Sequence, residues 1–299
     1  MDHLKPKVEI DPSAGFCSGV RRAIEVAEQL LSQPGGVACL GEIVHNESEL
    51  SRLRHLGLKI LDHGVDSGLA PGNKVIIRAH GEPPATFERL KSVGAGVYDA
   101  TCPIVIKLQQ KVSIASAAMK ENGGAVVIFG KPGHPEITGL LGYSSGNVVV
   151  VSGQDDLELV DLSKPLRIFS QTTSDLEAYR KFCDTIQSGA EKVSGSTPDV
   201  IIYQTVCGQV SRRKPDIERF ASSHDVIVFV SGSESSNGKY LSGISKRCNP
   251  RTFVVTGTGQ VKPGWFEEIS SVGVSGATST PVWLMQQVAA EITEMIKKN

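Results

Sequence analysis

Short continuous apolar runs alternate with amphipathic stretches along the whole chain. VACLGE, KVIIRAH, AVVIFG, NVVVV, PLRIFSQ, DVIIYQTV, DVIVFVSG, RTFVVTG and SVGVSG read as buried strands. Val20, Ala23, Ile24, Ala27, Leu30 and Leu31 recur at spacings of three and four, which predicts one face of a helix. ESELSRLRHLG predicts a second helix, ended by Gly57. SDLEAYRKF predicts a third, with Ser174 and Glu177 as a capping box. GYSSGN and QSGAEKVSGSTPD read as surface loops. Strands apolar on both faces, alternating with helices, predict an α/β fold with mainly parallel sheets.

The same layout occurs three times. VEIDPSAGFCSGVRRAIEV, GVYDATCPIVIKLQQKV and VIIYQTVCGQVSRRKPDI each run from a strand to a cysteine and on to a helix or turn. The cysteines are Cys17, Cys102 and Cys207. A strand ending in a polar loop follows each of them, placing His45, His134 and Asn237 at 28, 32 and 30 residues beyond. A later strand leads into a second polar turn, with His80, Thr172 and Ser279 at 63, 70 and 72 residues. These matched offsets predict three similar α/β units, 17–101, 102–206 and 207–299, pseudo-threefold about a central cavity. The strand within 1–16 is expected to join the third unit, because the strand before each cysteine can close the preceding unit's sheet.

In parallel α/β sheets, ligands bind at the carboxyl ends of strands, which is where all these residues fall. Three thiols from distant positions suit a metal centre better than a redox pair, since no C-x-x-C occurs. Cys17 and Cys102 also stand just before helical stretches, where the thiolate is favoured. Zinc with water as fourth ligand and a cubane iron–sulfur cluster with one open iron both remain available. Widely separated ligands from three similar units fit the larger cubane better. Cys39, Cys183 and Cys248 have no counterparts in the repeat and read as buried, inert thiols. His3, His55, His63 and His224 read as surface or loop residues.

Thirty-one Lys and Arg face 32 Asp and Glu, a net charge of −1, which argues against a nucleic-acid partner held by general basicity. No apolar run of about 18 residues occurs, so no membrane span is expected. The start, MDHLKPKVEI, lacks the pattern of a secretory leader, which points to a cytoplasmic protein with reduced cysteines. The GxGxxG and GxxxxGK-[ST] phosphate fingerprints are absent.

AGFCSGVRRAI, EIVHN, AHG, DATCP, GHPE, QTT, a later lone cysteine, SSN and GATSTP occur in that order, from about residue 8 to 290. As a set they resemble the LytB/IspH family, the 4-hydroxy-3-methylbut-2-enyl diphosphate reductases that end the methylerythritol phosphate route to isoprenoids. The resemblance implies one 4Fe-4S cluster held by Cys17, Cys102 and Cys207 with one iron open. It implies diphosphate binding by His45, His80, Ser235, Ser236, Asn237 and Ser279. It places His134 and Glu136 beside the substrate hydroxyl, Glu136 as proton source and Thr172 as its relay. It also implies an allylic diphosphate substrate and an external one-electron donor, ferredoxin or flavodoxin. CGQVSRRKPDI departs from the family pattern: Arg212 or Arg213 is expected to keep the usual arginine's role, with the helix starting late, near Pro215.

Three other readings use part of this layout. A dehydratase of the quinolinate synthase kind shares the three-unit plan but needs no diphosphate set. An iron–sulfur sensor needs neither Glu136 nor Thr172, and a zinc hydrolase needs no cubane.

Overall fold

The segment Val226–Val230, VIVFV, is buried at all five positions, and so is Ala125–Phe129, AVVIF. A strand without a polar face must be covered on both sides, which is the condition of a parallel sheet packed between helices. The computed structural model describes residues 6–62, 69–195 and 198–298. Its strands are β1 (Lys7–Ile10), β2 (Val37–Leu40), β3 (Leu58–Leu61), β4 (Lys74–Ile77), β5 (Gly96–Asp99), β6 (Ala125–Phe129), β7 (Val148–Val151), β8 (Leu166–Ser170), β9 (Val200–Ile202), β10 (Val226–Val230), β11 (Thr252–Val255) and β12 (Ser271–Gly276). Its α-helices are α1 (Ser18–Leu31), α2 (Glu47–His55), α3 (Pro84–Ser92), α4 (Pro103–Glu121), α5 (Pro135–Tyr143), α6 (Leu176–Ser194), α7 (Gly208–Ser222), α8 (Ser236–Cys248) and α9 (Val282–Lys298). Within each unit the described strands pair in parallel, the α/β plan expected from the apolar runs.

The chain divides into two compact units, Met1–His63 with Arg212–Asn299, and Gly64–Ser211. The first holds the sheet β1-β12-β10-β11 and the parallel pair β2–β3. Its core packs Val226, Val228, Val272 and Val274 against Leu284, Met285, Val288 and Ile292 of α9. The second holds the sheet β7-β6-β8-β9 and the parallel pair β4–β5. There Tyr179, Phe182, Cys183 and Ile186 of α6 cover one face of the sheet, and Leu108, Val112 and Met119 of α4 cover the other.

Each strand that leads to a repeat cysteine pairs in parallel with the strand that closes the preceding repeat. β1 pairs with β12, β5 with β4, and β9 with β8. The strand near the start of the chain thus joins the sheet of the last residues.

Five local expectations are corrected. The cap of α6 is Asp175, which accepts the Ala178 N–H at 2.6 Å, whereas Ser174 turns inward and donates to the Phe129 carbonyl. The helix also runs through most of QSGAEKVSGSTPD to Ser194, because Ile186 and Ala190 extend the buried face begun by Tyr179, Phe182 and Cys183. Gly189 serves packing there, since a Cβ would lie 2.7 Å from Leu162 Cδ1. Helix α7 starts at Gly208, straight after Cys207, with Pro215 inside it. One missing N–H is tolerated because Val210, Ile217 and Ala221 share a buried face. Cys248 is exposed at the end of α8, and His224 is buried against Phe220 and Glu9. His3 and His63 lie outside the described residues.

Candidate active site

The three repeat cysteines share one local design. Cys17, Cys102 and Cys207 directly precede α1, α4 and α7, and their carbonyls accept the first helical N–H groups, from Arg21, Ile106 and Ser211, each at 2.9 Å. Each cysteine's own N–H donates to a carbonyl in the loop beyond its neighbouring strand: Cys17 to Thr278 at 3.2 Å, Cys102 to Ala79 at 3.0 Å, Cys207 to Thr172 at 2.8 Å. Among the described residues none of the three is in a disulfide, and all three are half-buried, unlike buried Cys39 and Cys183. A helix N-terminus stabilises negative charge, so this position favours a thiolate. Among the described residues, neither unit by itself gathers three or more His, Cys, Asp or Glu side chains able to hold a metal ion.

In the first unit the predicted diphosphate residues lie on loops tied to one another. Asn46 caps α2 by accepting the Glu49 N–H at 3.0 Å, which fixes the turn carrying His45. Glu47 then accepts both the N–H and the hydroxyl of Ser233, at 3.0 and 2.5 Å. The approach requires Gly232, where a Cβ would stand 2.5 Å from the His45 carbonyl. Ser235 caps α8 through the Gly238 N–H at 3.0 Å and meets the Ser279 hydroxyl at 2.9 Å. Asn237 Oδ1 accepts the N–H and hydroxyl of Thr278, both at 3.0 Å, which leaves the amide NH2 as its donor. Thr278 is also the residue whose carbonyl receives the Cys17 N–H. Ser236 opens α8 on the exposed side, and Pro281 stands one residue before α9. These linked loops lead into four helix N-termini, those of α1, α2, α8 and α9, and a helix N-terminus suits an anion.

The second unit gathers the groups assigned to proton transfer. Glu136 is 1% exposed. Its Oε1 accepts the Thr172 N–H and its Oε2 the Thr172 hydroxyl, both at 2.7 Å. Burial pushes its pKa up to about 7, and the two Thr172 bonds offset part of that rise. His134 caps α5, its Nδ1 accepting the Glu136 N–H at 3.2 Å. An imidazole accepting at Nδ1 is neutral and carries its hydrogen on Nε2. The rings of His134 and His80 meet edge to face, 5.2 Å between centres. Gln171 braces the Thr172 loop, accepting the Lys131 N–H at 3.0 Å and donating to Thr173 at 2.7 Å. Cys102 and Cys207 are bonded through their N–H groups to the His80 and Thr172 loops, as given above.

Two features escape the sequence reading. Asn46, next to His45 in EIVHN, is 1% exposed, and its Nδ2 has no hydrogen-bond partner among the described residues. Arg213, one of the two arginines singled out, forms a buried ion pair with Asp11 at 3.3 Å, joined by Ser13, the Ser275 hydroxyl and the Gly276 carbonyl. The signal for Asn46 was its place in the motif. For Asp11, 202 positions away from Arg213, there was none.

Comparisons with known proteins show the family. The model of the family "LytB protein" matches residues 8–293. A 4-hydroxy-3-methylbut-2-enyl diphosphate reductase of Parabacteroides distasonis is 42% identical over 290 residues, covering 97% of this chain and 98% of that protein. One of Porphyromonas gingivalis is 39% identical over 293 residues, covering 97% and 99%. Among solved structures, an (E)-4-hydroxy-3-methyl-but-2-enyl diphosphate reductase described as the terminal enzyme of the non-mevalonate pathway is similar at a TM-score of 0.71 and 34% identity, over 96% of this chain and 99% of that one. The corresponding reductase from Plasmodium falciparum shares the fold at a TM-score of 0.79, with 24% identity over 96% and 87%. Among the described residues no helix is long and apolar enough to cross a membrane.

Proposed function

Because the chain belongs to the LytB protein family, we propose that it removes the hydroxyl of (E)-4-hydroxy-3-methylbut-2-enyl diphosphate, giving isopentenyl and dimethylallyl diphosphate. Two electrons and two protons enter. The C–O bond breaks, one proton leaves with the hydroxyl as water, and the other forms a new C–H bond. The observation that carries this reading is the bonded run Glu136–Thr172–Cys207, in which a buried carboxyl of raised pKa reaches a candidate thiolate ligand through one residue.

Cys17, Cys102 and Cys207 fit a soft metal group, being three half-buried thiols outside any disulfide at helix starts. These three thiolates would hold a 4Fe-4S cluster, which when bound would supply a route for the electrons and a Lewis acid for the leaving hydroxyl.

The protein's own residues do the rest. His45, His80, Ser235, Ser236, Asn237 and Ser279 hold the diphosphate, helped by N–H groups at the starts of α8 and α9. The spare donor on Asn46 suits the same anion. Hydroxide leaves poorly at neutral pH, so a proton must reach it as the bond breaks. Protonated Glu136 donates to the Thr172 hydroxyl, whose own hydrogen is then free to pass to the substrate oxygen. A pKa of about 7 keeps much of Glu136 protonated at working pH. His134, neutral with hydrogen on Nε2, is a second donor near that oxygen. The electrons come from an external one-electron carrier, ferredoxin or flavodoxin.

The experiment is turnover by anaerobically prepared protein with reduced methyl viologen and the allylic diphosphate, read by mass spectrometry. Isopentenyl and dimethylallyl diphosphate are expected. Dehydration without dye oxidation, or no product from iron-loaded protein, would overturn the assignment.

A further inference from the structure

Helix α4 carries an exposed stripe of unusual composition. Ile104, Lys107, Lys111 and Ile114 recur at spacings of three, four and three, which puts them on one helix face. Ile104 is 37% exposed and Ile114 73%, and both lysines are exposed too. Neither lysine makes a hydrogen bond or ion pair among the described residues. Residues 103–120 contain three lysines and no acid, and residues 200–211 contain no charge of either sign. In a chain whose net charge is −1, this is a locally cationic face.

The stripe borders a groove. Ile104, Lys107 and Lys111 form one wall, and Gln204, Thr205 and Cys207 form the other, enclosing about 170 Å³. Cys207 is therefore reached from this surface directly, and its loop is the groove's own lining. The groove itself is lined by no acidic side chain.

We propose that the α4 stripe and the 204–208 loop form the docking surface for an acidic one-electron carrier protein, which delivers electrons beside Cys207. The inference rests on the proposed reductase reading and adds the place and charge of the partner. The reaction requires two electrons, and the chain carries neither dinucleotide nor phosphate-loop fingerprint for a resident nicotinamide. Each reduced carrier gives up one electron and leaves oxidised. Two encounters supply the pair that, with two protons, converts the allylic hydroxyl to water and forms the C–H bond. A small, charge-steered patch with apolar contacts among the cations is the usual form of such brief complexes. A permanent partner would need a larger and more apolar face.

The test is a charge reversal, K107E/K111E, with K107Q/K111Q as a milder companion. Binding of oxidised acidic ferredoxin is measured by calorimetry at low and moderate salt. Turnover is measured separately with reduced ferredoxin and with reduced methyl viologen. The expected result is binding weakened about tenfold or more in K107E/K111E, and less in K107Q/K111Q, with the salt dependence flattened. KM for ferredoxin should rise while the viologen-driven rate is unchanged. Unaltered ferredoxin binding in the reversed variant overturns the surface. So does an equal loss with viologen, which would place the lysines in the internal machinery. A wild type inactive with viologen would sink the proposed reaction instead, and the binding measurement would still decide the surface.

Discussion

Thr172 gives both its backbone N–H and its hydroxyl to the carboxylate of Glu136, each at 2.7 Å. The same residue accepts the Cys207 N–H on its carbonyl at 2.8 Å. One threonine thus holds the proposed proton donor on one side and a candidate metal-ligand loop on the other.

Glu136 gives a pH-dependent stability. Its pKa is raised from 4.5 to about 7, first of all by burial. A carboxyl whose folded-state pKa is raised favours folding most when protonated. That contribution is full below about pH 4.5 and is lost as pH climbs to and through about 7, on the order of 3 kcal/mol in all. Urea unfolding at pH 5 and pH 8 should show this loss in the wild type and not in Glu136→Gln. Parallel profiles for the two proteins would contradict it. In turnover, Glu136→Gln should leave KM near normal and cut kcat by about a hundredfold or more.

The relay predicts a split between two replacements of Thr172. Thr172→Val keeps the shape and the backbone bond to Glu136 but removes the hydroxyl, so kcat should fall by about a hundredfold. Thr172→Ser keeps the hydroxyl and should retain most of the rate. Equal activity in both, with thermal stability compared alongside, would remove the hydroxyl from the mechanism.

The Ser235 and Ser279 hydroxyls meet at 2.9 Å within the proposed diphosphate site. Ser235→Ala and Ser279→Ala should each raise KM, and the inhibition constant for inorganic diphosphate, by roughly tenfold. Because each hydroxyl orients the other, the double variant should lose less than the product of the two. A pure kcat effect, with diphosphate inhibition unmoved, would place the pair elsewhere in the reaction.

Arg213 and Asp11 are an ion pair with side chains only 6% and 2% exposed. Arg213→Leu leaves a buried carboxylate without its cation and should cost about 3–5 kcal/mol in denaturant unfolding. Asp11→Asn should also destabilise, and the combined Asp11→Leu/Arg213→Leu variant should recover part of the loss. Additive losses would mean that the two side chains do not act as a pair.

The sheets were legible because parallel strands buried on both faces leave runs such as AVVIF and VIVFV. β3, LKIL, gave no such run, since Lys59 points to solvent. The start of α7 was misread because a proline inside a helix is judged by its missing N–H, while the buried face of Val210, Ile217 and Ala221 outweighs it. Asp175 took the cap from Ser174 because the serine hydroxyl found a strand carbonyl. His224 gained burial from Glu9, a residue 215 positions away. Within the candidate site, the motifs singled out the hydroxyl and imidazole residues. The bonds that organise them were not legible, because Thr278, Glu47 and Thr172 act through backbone groups and distant partners.

The most direct measurement is iron and sulfide per chain in anaerobically prepared protein carrying Cys17→Ser, Cys102→Ser or Cys207→Ser, beside Cys39→Ser as control. The account predicts about four irons in the wild type and the control, and loss of most iron in each of the other three. A full complement of iron in any one of those three would contradict it.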